Sequence, residues 1–206
     1  MHFTLYLGPM NYLAHAYLSF SNEEILVGNL ISDFVKGRKK FNYPEGIQKG
    51  IALHRAIDTY TDTHEATKLA KDIFRPFYRL YSGAFVDEVY DHFLATDANE
   101  FTEQTLKEFS ENAYAILDRY LTFLPGRFTQ MFPYMKLQNW LFNYRTRKGT
   151  ESSFGGVVRR ARYLEESETA CLLFEEHYQL LRDYYRAFFP DLKSFAHTMY
   201  NDIIKL

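Results

Sequence analysis

Apolar residues recur along this chain at intervals of three and four positions from Asn11 onward, whereas runs that alternate apolar and polar residues are rare. This spacing is typical of helices that bury one face. The pattern therefore predicts an all-α protein. The expected helices cover about residues 21–35, 44–64, 66–80, 83–96, 101–123, 127–147, 152–164 and 166–188, with a last one after Pro190.

Local signals set two of these boundaries. Ser21 followed three positions later by Glu24 matches a capping box, and Gly37 is expected to end the helix that starts there. Pro44 suits the first turn of the next helix. Gly28 lies inside the first of these helices, where glycine costs about 1 kcal/mol relative to alanine. A close approach by another helix is the expected reason for it.

The length and the chain breaks predict one domain. Gly8-Pro9 interrupts the chain before the helical pattern starts, so residues 1–9 are expected to be an N-terminal extension without a functional role. No repeat or linker divides residues 10–206. The single Cys171 excludes a disulfide framework and a multi-cysteine metal site. No apolar run reaches the roughly 20 residues that span a bilayer, so we expect a cytoplasmic protein without membrane contact.

Polar residues lie at helical spacing on otherwise apolar faces. An i, i+4 interval puts both members of a pair on one face, beside the residues expected to form the core. Burying carboxylates and imidazoles together is costly unless a partner such as a divalent metal ion compensates their charge. A metal held in this way suggests hydrolysis. The pairs are Asn11 with His15, Asn29 with Asp33, and His54 with Asp58.

Further candidates extend this set. Asp62 lies one turn beyond Asp58 and slightly rotated from it. Asp91 and His92 are neighbours, which point about 100° apart on a helix, so the two need not both bind one ion. One is expected to coordinate it while the other orients a water molecule or an outer ligand. Arg55 lies beside the ligand stripe and either offsets phosphate charge or forms an ordinary ion pair. The candidate metal ligands are Asp33, His54, Asp58 and His92, with His15 ranked below them because a lone histidine on an apolar face is more often structural.

The distribution of charged residues indicates which macromolecules this protein could bind. A net charge of −2 argues against a general nucleic-acid-binding role. The basic residues nevertheless bunch in three places, which indicates either solvated surface or contact with an acidic macromolecule. These clusters are Lys36 with Arg38, Lys39 and Lys40, then Arg145 with Arg147 and Lys148, then Arg159 with Arg160 and Arg162.

Four segments in this order and spacing resemble the acyl carrier protein phosphodiesterases, a family that is a divergent relative of the HD-type metal-dependent phosphohydrolases. They are Asn11–His15, Gly28–Gly37, His54–Asp58 followed by Thr61-Asp62, and Tyr90–Leu94. Weaker matches continue through Pro125–Phe128, Trp140-Leu141, Tyr144-Arg145 and Arg159-Arg160, so the resemblance spans nearly all of the chain after residue 9. One departure is that HD proteins carry a His-Asp dipeptide, whereas Asp91-His92 has the reverse order. The ligands are therefore assigned from the local stripes.

The resemblance implies an HD-like helical bundle that uses manganese or magnesium. It implies hydrolysis of the phosphodiester between phosphopantetheine and a serine of holo acyl carrier protein. The expected catalytic residues are Asp33, Arg55, Asp62 and Asp91, and the expected substrate or partner contacts are Asn29, Lys36, Arg38, Arg145, Arg159 and Arg160. Two alternatives remain open, namely a phosphohydrolase acting on a nucleotide or another small phosphodiester, and a helical binding module without metal.

Overall fold

The computed structural model describes residues 11–205, and within that range every regular element is helical. The described part therefore confirms the all-α prediction, while the expectation for residues 1–9 lies outside it. The α-helices are α1 (Tyr12–Tyr17), α2 (Glu23–Ile31), α3 (Glu45–Thr63), α4 (Glu65–Tyr78), α5 (Ser82–Thr96), α6 (Glu103–Arg119), α7 (Gly126–Leu137), α8 (Trp140–Asn143), α9 (Arg147–Arg160), α10 (Glu168–Glu176) and α11 (Tyr178–Lys205). Short 3-10 segments cover Ser32–Phe34, Gly37–Asn42, Arg79–Tyr81 and Leu121–Phe123. None of the described helices is long and apolar enough to cross a membrane.

The core lies between α2, α3, α4, α5 and α11. Helix α2 packs along α3, α11 packs against both α3 and α4, and α5 packs against α4. The short α1 bridges α2 and α5, and α9 covers another side of α5. Fully buried aromatic rings fill this interior, and they include Phe74, Phe85, Phe93, Phe154 and Phe174. Helix α1 is thereby held between α2 and α5.

The close approach expected at Gly28 is confirmed. A Cβ at Gly28 would lie 2.1 Å from the carbonyl oxygen of Ile47 and 2.9 Å from the Cα of Gly50 on α3. Real Cβ atoms do not approach backbone atoms this closely. Helices α2 and α3 therefore meet backbone to backbone at two glycines, and this brings the polar residues of both helices into reach of one another.

The start and end of α2 differ from the prediction. Asn22, rather than Ser21, caps the helix, because its side chain accepts a hydrogen bond from the Ile25 amide. Ser21 has a positive φ of 60° and lies in the preceding turn. The helix ends at Ile31, and a 3-10 segment carries Asp33. Asn29 and Asp33 therefore do not share one helical face, since the tighter 3-10 turn rotates Asp33 away.

The C-terminal half differs in four places. The helix expected over residues 166–188 is divided at His177, where α10 ends and α11 begins. The helix expected over residues 127–147 is divided at Asn139, whose backbone is left-handed with a φ of 43°. The helix expected at residues 152–164 starts earlier and ends at Arg160. Pro190 does not separate two helices, because α11 continues through it. An internal proline costs about 3 kcal/mol, and the apolar residues that α11 buries against α3 and α4 offset this cost.

Candidate metal centre

Three side chains from two helices converge at one point. Nε2 of His15 on α1 lies 3.1 Å from Oδ1 of Asp58, and Nε2 of His54 lies 3.1 Å from Oδ2 of the same carboxylate. Among the described residues these three form the single group of histidine, cysteine or acidic side chains whose ligand atoms all lie within 4.8 Å of one another. The two imidazole rings stack with their centroids 3.9 Å apart. Two nitrogen atoms and a carboxylate at this spacing are a donor set that suits a divalent transition metal.

The orientation of His15 is fixed from behind by Asn29. The Asn29 amide group donates to the His15 carbonyl oxygen at 2.8 Å and to the Ser19 hydroxyl at 3.1 Å. Its Oδ1 therefore faces Nδ1 of His15, 2.7 Å away, and accepts the ring proton. This leaves Nε2 deprotonated and directed at Asp58, which is the tautomer that a metal ligand needs. Asn29 is fully buried, so the structure places it behind His15 and not at the expected substrate contact.

His54 lies between two carboxylates. Its Nε2 is 3.3 Å from Oδ1 of Asp33 and faces Asp58 on the other side. Burial lowers the pKa of His54, but hydrogen bonds to Asp33 and Asp58 and their charges outweigh burial and raise this pKa to about 10. The negative potential that holds a proton here would also favour a divalent cation.

The pKa shifts of His15 and Asp58, the other two members of the group, agree with this arrangement. Burial and the nearby His54 lower the pKa of His15, although Asp58 opposes them. Burial would raise the pKa of Asp58, but His15 and His54, whose Nε2 atoms each lie 3.1 Å from its carboxylate, lower it well below its usual range. A single carboxylate therefore faces two stacked imidazoles, of which one is held neutral. These residues fit a metal ion, because an ion at the Nε2 atoms would bind a neutral His15, a neutral His54 and an ionised Asp58 at once.

A cleft opens in front of this group. Its volume is about 290 Å³, and His54 and Asp58 line it together with Asp33 and with Lys36 and Arg55 at its edge. Asp33 is partly exposed. Arg55 donates to the Val35 carbonyl oxygen at 2.9 Å, which ties its guanidinium to the loop beside the cleft. The cleft thus combines buried ligands with cationic side chains at its edge, as a site for a phosphate ester requires.

Asp91, for which a catalytic role was expected, lies outside the residues that line the cleft. Its two carboxylate oxygens accept hydrogen bonds from the backbone amides of Leu13 and Ala14, at 2.9 and 2.8 Å. These amides belong to the first turn of α1, whose own N-cap residue, Asn11, makes no side-chain capping bond. Asp91 is completely buried. It therefore positions α1, and with it His15, and does not face the cleft.

His92 and Asp62 are not brought to the metal centre. Nδ1 of His92 donates to the Tyr144 carbonyl oxygen at 2.8 Å, and Nε2 accepts from the Tyr178 hydroxyl at 3.0 Å. Burial lowers the pKa of His92 to about 4, so the ring is neutral. With both nitrogens engaged, His92 links α5 to α11 and to the loop before α9. Asp62 is exposed and pairs with Lys71 at 2.6 Å.

The basic residues of the three clusters lie in different surroundings. Lys36 and Arg38 are exposed near the edge of the cleft. Arg145, by contrast, pairs with Glu103 at 2.9 Å and stacks on Phe142. Arg159 and Arg160 line a second, larger cavity. The three clusters therefore do not form one continuous surface around the metal centre.

Two acidic residues were missed by the sequence reasoning. Asp87 and Glu88 are both buried in α5, between Val86 and Val89. Burial raises the pKa of Asp87 well above its usual range, and the charge of Asp58 adds to this effect. Glu88 lies in the wall of the second cavity. A signal for both was present, because adjacent acids inside an apolar helix are the same pattern that drew attention to Asp91-His92.

The fold and the site together define an all-α protein with a candidate His-His-Asp metal centre beside a cationic cleft. The family model for acyl carrier protein phosphodiesterase matches residues 10–192. The chain belongs to this family, whose name denotes hydrolases of phosphodiester bonds. It is 33% identical to an acyl carrier protein phosphodiesterase of Yersinia pestis, over 89% of this chain and 95% of the relative. It is 32% identical to one from Enterobacter sp. (strain 638), over 88% and 94% respectively. No solved structure matches this chain, so the relation to HD-type hydrolases stays a prediction.

Proposed function

We propose that this protein hydrolyses the phosphodiester that joins phosphopantetheine to a serine of holo acyl carrier protein, with a bound manganese or magnesium ion. A water oxygen attaches to phosphorus, the bond from phosphorus to the serine oxygen breaks, and apo carrier protein and phosphopantetheine are released. The observation that carries the proposal is the convergence of His15, His54 and Asp58 behind a cleft with cationic residues at its edge.

Each residue of the cleft has a task in this reaction. His15, His54 and Asp58 would hold the ion, which when bound lowers the pKa of a water molecule and polarises a phosphoryl oxygen. Asp33 lies at the cleft within 3.3 Å of His54, and it would accept a proton from the attacking water. Arg55 and Lys36 would bind the non-bridging phosphate oxygens, whose negative charge grows as the leaving group departs.

The carrier protein must dock so that its modified serine reaches the cleft. Acyl carrier proteins are acidic, and the segment Gly37–Asn42 places Arg38, Lys39 and Lys40 directly after Lys36 at the edge of the cleft. Complementary charge there would accelerate encounter and orient the partner. Arg145 is less suited to this role because Glu103 already pairs with it. We therefore assign docking to residues 36–40.

The test is incubation of holo carrier protein with the purified enzyme and manganese, followed by intact mass measurement of the carrier protein. We expect the mass to fall to that of the apo form, and a chelator to prevent this. His54→Ala should abolish the reaction with the helical circular dichroism retained, whereas His197→Ala, at an exposed histidine of α11, should not. A fully active His54→Ala variant would exclude the metal centre. Loss of fold together with activity would favour a hydrogen-bonded structural network.

A further inference from the structure

A second cavity lies apart from the metal centre, where α5, α8 and α9 meet. Its volume is about 470 Å³, which is larger than the metal cleft and within the range of pockets that bind small molecules. We call it the Glu88 cavity, and its wall includes Glu88, Trp140, Asn143, Ser153, Arg159 and Arg160. None of these residues belongs to the metal centre.

An unsatisfied carboxylate lies in the wall of this cavity. Glu88 is 2% exposed, its Oε1 lies 3.7 Å from Nη2 of Arg160, and its buried Oε2 has no hydrogen-bond partner. Burial raises the pKa of Glu88 to about 7, although the charge of Arg160 and the nearby hydroxyls of Tyr144 and Ser153 oppose this. A buried acceptor without a partner is unfavourable by about 1–3 kcal/mol. A ligand that donates a hydrogen bond to the Glu88 carboxyl group would remove this penalty once the side chain turns Oε2 toward the cavity.

Two consecutive glycines in α9 make room for the arginines. A Cβ at Gly156 would lie 3.0 Å from Nη1 of Arg160, and a Cβ at Gly155 would lie 3.3 Å from Nη1 of Arg159. Both guanidinium groups therefore fold back over their own helix, one turn before the residues that carry them. Glycines inside a helix cost about 1 kcal/mol each relative to alanine. The two glycines therefore leave space in which both guanidinium groups lie at the cavity.

The cavity offers both an acceptor and donors. A secondary amide presents one N–H and one carbonyl oxygen, so it can donate to the Glu88 carboxylate and accept from the Arg160 guanidinium. A phosphate group presents acceptors only, so above about pH 7, where Glu88 is ionised, it would face this carboxylate without a hydrogen bond. The chemistry of the wall therefore favours an amide over a phosphate.

Tyr12 lies near residues of both cavities, since Asp33 of the metal cleft and Glu88 and Arg160 of the Glu88 cavity all act on its phenol. Tyr12 lies one turn before His15 on α1, and its ring packs 6.5 Å from that of Trp140. Burial raises the pKa of Tyr12, and the charges of Arg160, Asp33 and Glu88 all act on its phenol. A ligand with a phosphate in the metal cleft and a flexible arm could therefore reach the Glu88 cavity.

We propose that the Glu88 cavity binds the amide-bearing pantetheine arm of the substrate, while the phosphate lies at the metal centre. This inference rests on the proposed function, because it names where the rest of that substrate is held. Pantetheine is a flexible chain with two amides, a hydroxyl group and a terminal thiol. Binding this arm away from the reacting atoms would fix the position of the phosphorus atom.

The test uses the fluorescence of Trp140, which is the single tryptophan of the chain. Titration of the metal-free protein with pantetheine, which has no phosphate, should give a saturable change in emission, and inorganic phosphate should not. At pH 8, Glu88→Gln and Arg160→Gln should each raise the Kd for pantetheine about tenfold, since each replaces a charged hydrogen-bonding group by a neutral amide that makes a weaker hydrogen bond. Arg186→Gln, at an exposed arginine paired with Asp183, is the matched control and should leave the Kd unchanged.

The inference is overturned if pantetheine gives no saturable change with the folded protein, or if both cavity variants bind it as well as the unmodified protein does. A saturable response to phosphate that pantetheine does not displace would equally overturn it. Circular dichroism shows whether each variant is folded. If carrier protein is cleaved but pantetheine does not bind, this inference fails and the proposed function stands. If pantetheine binds but carrier protein is not cleaved, the proposed function fails instead.

Discussion

Gly28 of α2 and Gly50 of α3 face each other so closely that a Cβ on either residue would lie 2.9 Å from the Cα of the other. This contact holds the helix that carries Asn29 against the helix that carries His54 and Asp58. The geometry of the metal centre therefore depends on two residues that have no side chain. Packing and chemistry are linked at this point of the molecule.

Gly28→Ala should lower both the melting temperature and the activity. Alanine has the higher helix propensity by about 1 kcal/mol, but its methyl group would meet the Ile47 carbonyl oxygen. Overpacking of this kind costs about 1–3 kcal/mol, and a displacement of about 1 Å at the site can reduce the rate on the order of a hundredfold. Thermal melting and the holo carrier protein assay measure the two effects. Gly126→Ala, where a Cβ meets nothing within 4 Å, is the control. A Gly28→Ala variant that melts higher with normal turnover would contradict the role of the contact.

Asn29→Leu should weaken metal binding and leave most of the fold intact. Leucine has the same branched arrangement of four side-chain heavy atoms, although it is larger, and it removes the acceptor that fixes the tautomer of His15. Loss of such an outer partner lowers metal affinity about 10- to 100-fold. Manganese titration by calorimetry, with circular dichroism for the fold, is the measurement. Asn201→Leu on α11, whose side chain lies 3.3 Å from His197, is the control. Equal manganese affinity in the two variants would show that Asn29 does not position a ligand.

Asp91→Ala should destabilise the protein by about 2–5 kcal/mol, because it leaves the buried amides of Leu13 and Ala14 without acceptors. Metal affinity should fall with stability, since His15 lies on the same short helix. Urea denaturation and manganese titration test this. The exposed Asp183→Ala variant serves for comparison. If Asp91→Ala were as stable as the unmodified protein but inactive, Asp91 would act in catalysis, contrary to its position.

Charge reversal of Arg38 and Lys39 to glutamate should raise the KM for holo carrier protein about tenfold or more at low ionic strength, with a smaller effect on kcat. The reversal replaces attraction by repulsion toward an acidic partner, and it should also weaken the salt dependence of KM. Steady-state kinetics between low and high salt measures this. Lys107→Glu, at an exposed lysine on α6, is the control. An equal rise in KM for Lys107→Glu would show that residues 36–40 have no specific role in docking the carrier protein.

Glu88→Gln should change how stability depends on pH. The pKa of Glu88 is raised by burial from 4.5 to about 7, so the folded state binds more protons than the unfolded state between these values. The free energy of unfolding therefore falls as pH rises through this window, by on the order of 3 kcal/mol from Glu88. Chemical denaturation of the metal-free protein from pH 4.5 to 8 should show a decline that the glutamine variant lacks. Parallel profiles for the two proteins would show that Glu88 is not held in its neutral form.

The sequence by itself determined the all-α class, most of the helices in the first half, the His54 and Asp58 pair, and the close approach at Gly28. These features follow from contacts over one or two helical turns, and helix geometry fixes them wherever the rest of the chain lies. The motifs also predicted the family to which the chain belongs, and the match to the family model confirmed it. Helix ends were less well predicted, because the 3-10 turn at Asp33 and the continuous helix through Pro190 depend on packing.

Only the tertiary structure decided which polar residues meet. His15, ranked below His92 by its sequence context, lies in the metal centre because α1 is held between α2 and α5. His92 and Asp91 lie on the same apolar helix, but their partners come from α11, the loop before α9 and the start of α1. The Glu88 cavity likewise forms between segments more than fifty positions apart. Which face of one helix meets which face of another depends on shape and volume across the whole core, and spacing along a single helix does not contain that information.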